Sequence, residues 1–487
     1  MNIVDPIHAV AQTRPDAAAL ILIDGKTVTF SVLDTLIRRA AGRATALGLQ
    51  PGTVVALRIA GGDEALGLIV ALGLARAGIV TCDPSVPSRY LSAVLVAPGE
   101  APPPGVPAYA LDSAWLTAPV AVAPPYGGDA ALFRIFATSG TTGMPRFCPV
   151  SHAAMVARVA ATAHPVARTS FPPVVLCALG LDGNWAMRIV LATLSGGGTL
   201  VFSNPGQLRR TLVEQHVTSL MTSPAVLQSI LEAMPPDAPR PPALRCIVAG
   251  GSRMPEPLWR RASMRLCPEI MATFGASETS VVAMGRCEDL ARVPDAVGVL
   301  EPGVEAQAVD AAHRPLPPGT EGLVRVRTPG DIAGYLDDPE STAASFRDGW
   351  FYTGDIGKVT ADGYLVISGR AVEIINHGGM KVSPRTIEDV LLAMPEISEA
   401  AAFGMPDRDG VIQVAAAVVA RAPIDIAALN RTCAARLGPL APRTVLQVGQ
   451  LPRNANGKVM TRALIELASR TGQGGVGEGQ GGAPAAA

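Results

Sequence analysis

The chain has 487 residues, 48% of them hydrophobic, and 40 Lys and Arg balance 41 Asp and Glu to leave a net charge of −1. That length exceeds one compact core and predicts two or three domains. The charge balance excludes a global basic field that would draw nucleic acid or an anionic membrane. The longest apolar run, 65–75, lies between Glu64 and Arg76; it is too short to span a bilayer and reads as a buried helix. The opening MNIVDPIHAV lacks the basic patch and apolar core of a secretory leader, so none is expected. Seven scattered cysteines without a CxxC pair point to reduced, mostly buried thiols in a cytoplasmic protein, with no disulfide framework and no zinc site.

In chain order, short β-type runs alternate with helical stretches over the first 275 residues. A strand at 19–23 precedes a helix over 31–47. A strand at 54–59 precedes a helix over 64–77, and 79–82 is again a strand. Further short runs lie at 174–179, 199–202, 219–222 and 246–249, with helical segments between them. Continuous apolar runs joined by helices predict parallel strands covered on both faces, a layered α/β domain. From Val304 the texture changes: VEAQAVD and GLVRVR alternate apolar and polar around RPLPPGTEG, which predicts a smaller antiparallel sheet or barrel. After Gly369 comes an α+β pattern with a helix over 386–392, a strand over 414–419 and a helix over 426–437. The tail 471–487, rich in Gly and Ala, has nothing to bury and is expected to be disordered.

ATSGTTGMPRF (137–147) follows the apolar run 132–136. Successive backbone N–H groups in such a turn, with Ser and Thr hydroxyls, form a concave anion site. Gly140 and Gly143 permit close approach of a ligand, and Arg146 adds a forked, permanently charged donor. A Walker loop is absent. TFGASET (273–279) groups Ser277 and Glu278 after a glycine turn. A carboxylate beside a phosphate site is repulsive unless a cation intervenes, so Glu278 implies Mg²⁺. In GWFYTGDIGKVTADGYLVISGR (349–370), Asp355 can accept both hydroxyls of a ribose, and Arg370 closes a strand. LPRNANGKVMTRAL (451–464) sets Lys458 on a turn after Asn-Gly. Taken singly, each has an ordinary reading: a turn aspartate, a surface arginine, an exposed lysine.

Together these segments make the chain resemble the adenylate-forming superfamily: acyl-CoA synthetases, 4-coumarate:CoA ligases, peptide-synthetase adenylation domains and beetle luciferases. The match runs in order from about residue 10 to 465. It includes AGGSRMP (249–255), GYLDDPESTAASF (334–346) and GRAVEIINHGGMKVSPRTIEDV (369–390) besides the motifs above. The resemblance implies an N-terminal AMP-binding domain (1–369), a hinge (370–374) and a mobile C-terminal domain (375–470). It implies that a carboxylate attacks the α-phosphorus of MgATP, that pyrophosphate leaves, and that a thiol then takes the acyl group. Position by position, Thr138, Ser139, Gly140, Thr141, Thr142, Gly143 and Arg146 would hold the β- and γ-phosphates. Gly251, Ser252 and Arg253 would line the adenine, and Phe274 with Gly275 would lie near adenine and ribose. Ser277 would touch the α-phosphate and Glu278 would ligate Mg²⁺. Asp355 and Arg370 would hold the ribose, and Lys458 would bridge the attacking carboxylate and the α-phosphate. Gly378 and Gly379 would leave room for a pantetheine arm. CoA is the expected acceptor, with a carrier-protein phosphopantetheine as the alternative and a small-molecule carboxylic acid as substrate.

Four features depart from the family pattern. Arg146 stands where lysine is common, and Phe147 where glycine is common, which stiffens the loop. Val372 occupies the usual hinge position, so the pivot moves to Glu373. The acyl-pocket segment LCALGLDGNWAMR (176–188) has no histidine. Within it Asp182 either caps the helix that begins near Asn184 or holds a substrate ammonium, and Trp185 either shortens the pocket or belongs to the core. A non-catalytic nucleotide-binding module would require the reactive groups to have decayed, and all are present. A serine hydrolase is not expected, because FGASET lacks the second glycine of the nucleophile elbow.

Overall fold

A computed structural model of the protein describes residues 1–60, 62–119, 128–138, 145–167, 172–371, 375–377, 380–407, 411–453 and 459–473. The chain divides into two compact units, Met1–Ile367 and Ser368–Ala487.

The first unit is built on two sheets. In one, Ala108–Ala110, Ala93–Val96, Val54–Leu57, Val80–Cys82 and Leu132–Ala137 run parallel in that spatial order. Phe147–Ser151 adds an antiparallel edge, with Ala137 opposite Phe147. In the other, Ala18–Ile21, Thr199–Val201, Val174–Cys177, Ser219–Thr222, Cys246–Ala249 and Glu269–Gly275 are successive parallel neighbours. The central runs are mostly apolar because helices cover both faces. The helix Glu64–Arg76 is buried at every position from Gly67 to Arg76. It packs in one core with Phe30, Leu33 and Ile37 of the helix Phe30–Ala46 and with Met187, Val190 and Leu194 of Asn184–Ser195. Its start is fixed by Asp63, whose side chain accepts from the Leu66 backbone N–H, a cap contribution of about 1 kcal/mol.

The antiparallel strands expected from Val304 onward are present as Glu305–Val309 and Gly322–Arg327. They do not form a sheet of their own. Val281–Arg286 pairs back on Glu269–Gly275, and the hydrogen bonding continues through Ala296–Leu300, Tyr364–Arg370 and Trp350–Val359. The hairpin at 276–280 is the point where the parallel layer becomes the antiparallel one. It is also the TFGASET segment.

In the second unit Ile397–Pro406 and Ile412–Ala420 pair antiparallel, and Thr444–Val448 lies parallel to the latter. Strand alternation sends Val414, Ala416 and Val418 to one core with Ile387, Leu391 and Leu429, and Ala415 and Ala417 to another with Leu464 and Ala468.

His152 opens the helix His152–Ala167 and is fully buried. Its Nδ1 accepts from the Ile3 backbone N–H at 3.1 Å, while Nε2 has no partner among the described residues. Burial, then the nearby N-terminal ammonium, pushes its pKa down to about 4 from an ordinary 6.5. The unfolded chain therefore takes up this proton first as the pH falls. Stability that is complete above pH 6.5 should be lost progressively toward pH 4, by roughly 3 kcal/mol at most. Urea midpoints measured across that window should flatten in His152→Gln; an unchanged slope would contradict the assignment.

Candidate functional site

The ATSGTTGMPRF segment joins the antiparallel strands Leu132–Ala137 and Phe147–Ser151. Its base is clamped twice. The Thr138 N–H donates to the Arg146 carbonyl at 2.8 Å, and the Arg146 N–H donates to Thr138 Oγ1 at 3.0 Å. Phe147 is the first residue of the return strand, so its role is to start the ladder. Ser139, Gly140, Thr141, Thr142 and Gly143 lie outside the described residues, as do Val372, Glu373, Gly378, Gly379 and Lys458.

Across from this hairpin stands the turn that carries Ser277 and Glu278. Glu278 is buried at 8% exposure. Tyr335 donates its hydroxyl to Glu278 Oε1 at 2.7 Å, and the Arg146 guanidinium lies over the Tyr335 ring, 5.2 Å from its centroid. Burial, reinforced by the Glu278 charge, raises the Tyr335 pKa, so the phenol stays protonated and donates. The cation of the first turn and the carboxylate of the second are thus joined through one aromatic side chain.

The second turn is held from beneath by Arg158, on the helix His152–Ala167 that leaves the first hairpin. Its Nη2 donates to the Glu278 carbonyl at 2.8 Å and its Nη1 to the Ser277 carbonyl at 3.1 Å and to Asn184 Oδ1 at 3.0 Å. Its Nε donates to the Gly330 carbonyl at 2.7 Å. Burial lowers the Arg158 pKa to about 10, which leaves it cationic at neutral pH. Gly330 has φ +85°, and a Cβ there would stand 2.4 Å from the Ala154 carbonyl, so only glycine permits this approach. The Ile332 N–H also donates to the Glu278 carbonyl, and the Ser280 N–H to Thr328 Oγ1.

The other candidates are placed as follows. Gly251, Ser252 and Arg253 form an exposed turn after Cys246–Ala249, with Arg253 Nη2 3.6 Å from Asp295. A Cβ on Gly250 would meet Thr273 at 2.6 Å and the Trp185 ring at 2.9 Å. Trp185 therefore packs against this turn, and it also borders a core of Val175, Met221 and Val248. Phe274 packs with Val282, Val324 and Phe351, and Gly275 is exposed at the end of its strand. Asp355 is 4% exposed on Trp350–Val359, its N–H donating to Thr353 Oγ1 at 3.1 Å. Arg370 ends the strand Tyr364–Arg370. A cavity of about 200 Å³ lined by Cys177, Leu179, Leu200, Phe202 and Val226 includes none of the candidate site residues in its wall.

Both readings of Asp182 need correction. The helix Asn184–Ser195 has Gly183 at its N-cap and no side-chain cap. The Asp182 carboxylate accepts instead from the Ile59 and Ala60 backbone N–H groups at 2.9 and 3.0 Å, and from the fully buried Arg134 at 3.0 Å. Its charge is compensated within the fold, so it is not held in reserve for a substrate ammonium.

Tyr335, Arg158 and Asn184 were not marked by their local sequence. Tyr335 sits inside GYLDDPESTAASF without a role assigned to it. Arg158 had one visible signal, an arginine interrupting the apolar helical run MVARVAATA.

Family models agree with this layout. The AMP-binding enzyme model matches residues 104–336, and the AMP-binding enzyme C-terminal domain model matches 386–458. The chain is 30% identical to a salicylyl-CoA synthase / salicylate adenylyltransferase of Streptomyces sp over 70% of its own length and 64% of the relative's. It is also 30% identical to the medium-chain fatty-acid–CoA ligase of Escherichia coli (strain K12), over 67% of its own length and 60% of the relative's. The matched regions thus span less than two thirds of these relatives. The ATP-bound crystal structure of MatB from Rhodopseudomonas palustris superposes with a TM-score of 0.85 at 27% identity, over 96% of this chain and 99% of that one. A buried carboxylate facing a clamped small-residue hairpin, in a chain matched by both family models, places it in a known group: the protein belongs to the AMP-binding, adenylate-forming enzyme family.

Proposed function

We propose that this protein is an AMP-forming acid–thiol ligase. It joins a small or medium carboxylic acid to AMP with release of pyrophosphate, then passes the acyl group to a thiol, with CoA as the preferred acceptor. The observation that carries the reading is the Arg146–Tyr335–Glu278 arrangement, in which a cation and a buried carboxylate are held a fixed distance apart across one ring. A triphosphate needs cations, and a carboxylate beside it needs a metal between them. Mg²⁺ takes few protein ligands and keeps water and phosphate oxygens, and a single buried carboxylate, oriented by one phenol, fits that demand.

In this reading the hairpin turn 138–143 and Arg146 bind the β- and γ-phosphates, with Arg146 oriented by its stacking on Tyr335. Gly251, Ser252, Arg253, Phe274 and Gly275 bound the adenine and ribose, Asp355 and Arg370 the ribose hydroxyls, and Ser277 the α-phosphate. The substrate carboxylate oxygen attacks the α-phosphorus, the α–β bridging oxygen leaves with pyrophosphate, and Lys458 offsets the charge between the two reacting anions. Positioning and charge stabilisation do most of this work. Bound Mg²⁺ supplies neutralisation of phosphate charge at Glu278. All seven cysteines are free, as a reducing cytoplasm would keep them, and no described helix is long and apolar enough to cross a membrane.

The reading is tested by pyrophosphate release over a panel of aliphatic, aryl and amino acids, each with and without CoA. Release with an aliphatic or aryl acid, and thioester formation with CoA, is expected. A response that ignores CoA but transfers to a carrier-protein phosphopantetheine would make the acceptor a carrier protein. A panel-wide absence of release would overturn the reading.

Tyr335→Phe keeps the ring under Arg146 and deletes one hydrogen bond to the Glu278 carboxylate. Bonds to charged groups are worth about 1.5–3 kcal/mol, so the rate at limiting Mg²⁺ should fall at least about tenfold, and recover in part at high Mg²⁺. A Mg²⁺ titration that superposes on wild type would remove Tyr335 from the metal site.

A further inference from the structure

The helix Asn184–Ser195 presents two residues of one face, Asn184 and Arg188, to the turn that carries Ser277 and Glu278. Asn184 is fully engaged, accepting from Arg158 and donating to the Ser277 carbonyl. Arg188 is not. It is 3% exposed, and its one hydrogen bond among the described residues runs from Nη1 to Ser280 Oγ at 2.8 Å. Among the described residues its Nε has no partner and no carboxylate pairs with it. Its electrostatic neighbour is a second buried cation, Arg158, which itself lies in the field of the Glu278 and Asp331 carboxylates.

An arginine in this setting is costly. A buried charge is normally paired, and here the fold supplies a hydroxyl and a like charge. Burial pushes the Arg188 pKa down to about 9, with Arg158 adding to the shift, yet the group still carries its proton at neutral pH. The two other charges of this region point the same way. Asp182 is compensated by Arg134 and two backbone N–H groups, and Glu278 is engaged by Tyr335. The uncompensated charge on the helix Asn184–Ser195, whose first turn belongs to the acyl-pocket segment 176–188, is therefore positive.

The geometry points to Arg188, with Ser280, as the seat of a second anionic group on the acid substrate, so that the preferred substrates are dicarboxylic or otherwise anionic acids. One carboxylate is activated beside Glu278. The other accepts the free Nε–H and a second N–H of the Arg188 fork, the bidentate pattern guanidinium groups favour. This rests on the adenylation reading above and specifies its substrate.

The test is pyrophosphate release by the full-length enzyme with linear dicarboxylic acids of graded length and phthalate. Each is compared with its monocarboxylic counterpart, in wild type, Arg188→Met and Arg188→Lys. At least one dicarboxylic acid should exceed its counterpart by tenfold or more in kcat/KM in wild type. Arg188→Met should reverse that ratio by raising KM for the dicarboxylic acid, and Arg188→Lys should restore part of it. If Arg188→Met does not fold, the wild-type ratio and the lysine variant decide the matter. Release with monocarboxylic acids that equals or exceeds their dicarboxylic partners in every pair overturns the inference and leaves the adenylation reading standing. An unchanged ratio in the variants overturns it likewise. Release with no acid of either kind overturns both.

Discussion

Arg158→Met should cost the first unit roughly 3–5 kcal/mol of stability and abolish pyrophosphate release. The figure is that of stripping a charge-assisted donor from several buried oxygens, and it is a large fraction of a domain's total of about 5–15 kcal/mol. Arg158 is fully buried and donates to the carbonyls of Ser277, Glu278 and Gly330 and to Asn184 Oδ1. Methionine fills much of the volume but removes that donor from the Gly330 carbonyl and Asn184 Oδ1, while the Glu278 and Ser277 carbonyls keep the Ile332 N–H and the Asn184 amide; each unpaired buried oxygen costs about 1–3 kcal/mol. The functional loss follows from the same bonds. Arg158 ties the helix that leaves the phosphate hairpin to the turn that carries Glu278, so its removal frees the carboxylate to drift relative to Arg146. Urea unfolding and pyrophosphate release, measured on Arg158→Met and Arg158→Lys, check this. Lysine keeps the charge but loses the fork, and should recover stability only in part. A methionine variant that melts with wild type and turns over normally would contradict the role.

Lys458→Ala should lower the adenylation rate on the order of 10²–10³-fold, the usual cost of losing one preorganised donor at a developing charge, with little effect on nucleotide binding. Arg453 and Val459 form an antiparallel bridge on either side of the segment that carries Lys458, so its ends are anchored whatever stands at 458. The variant should therefore fold normally, and its defect should appear in the pyrophosphate burst rather than in a thermal melt. Unchanged release would sink the assignment.

The strand and helix pattern of the first 275 residues was legible because apolar runs of that length have few alternatives. The expected strands at 219–222 and 246–249 stand where the periodicity set them. The strands after Val304 were legible as antiparallel but not as a continuation of the large sheet. That depends on which edge Val281–Arg286 reaches, a long-range choice with no local signal. The site was legible where function imposes residue type on a short segment, as in the TFGASET turn. It was hidden where support comes from afar. Tyr335 reaches Glu278 across 57 positions, and Arg158 reaches it across 120. Asp182 was misread because two of its partners are backbone N–H groups at 59 and 60, which no side-chain pattern announces. Arg188 carried the same faint signal as Arg158, a cation in an apolar helical run, and only its missing counter-charge set it apart.

Arg146 and Glu278, joined through Tyr335, are proposed to belong to one adenylate-forming site. Exchange of labelled pyrophosphate into ATP, followed without any thiol, tests it most directly. Exchange should require both Mg²⁺ and a carboxylic acid, a single turnover should yield pyrophosphate with AMP held as the acyl-adenylate, and both should be lost in Glu278→Gln. Acid-independent exchange, or formation of ADP in place of AMP, would contradict it.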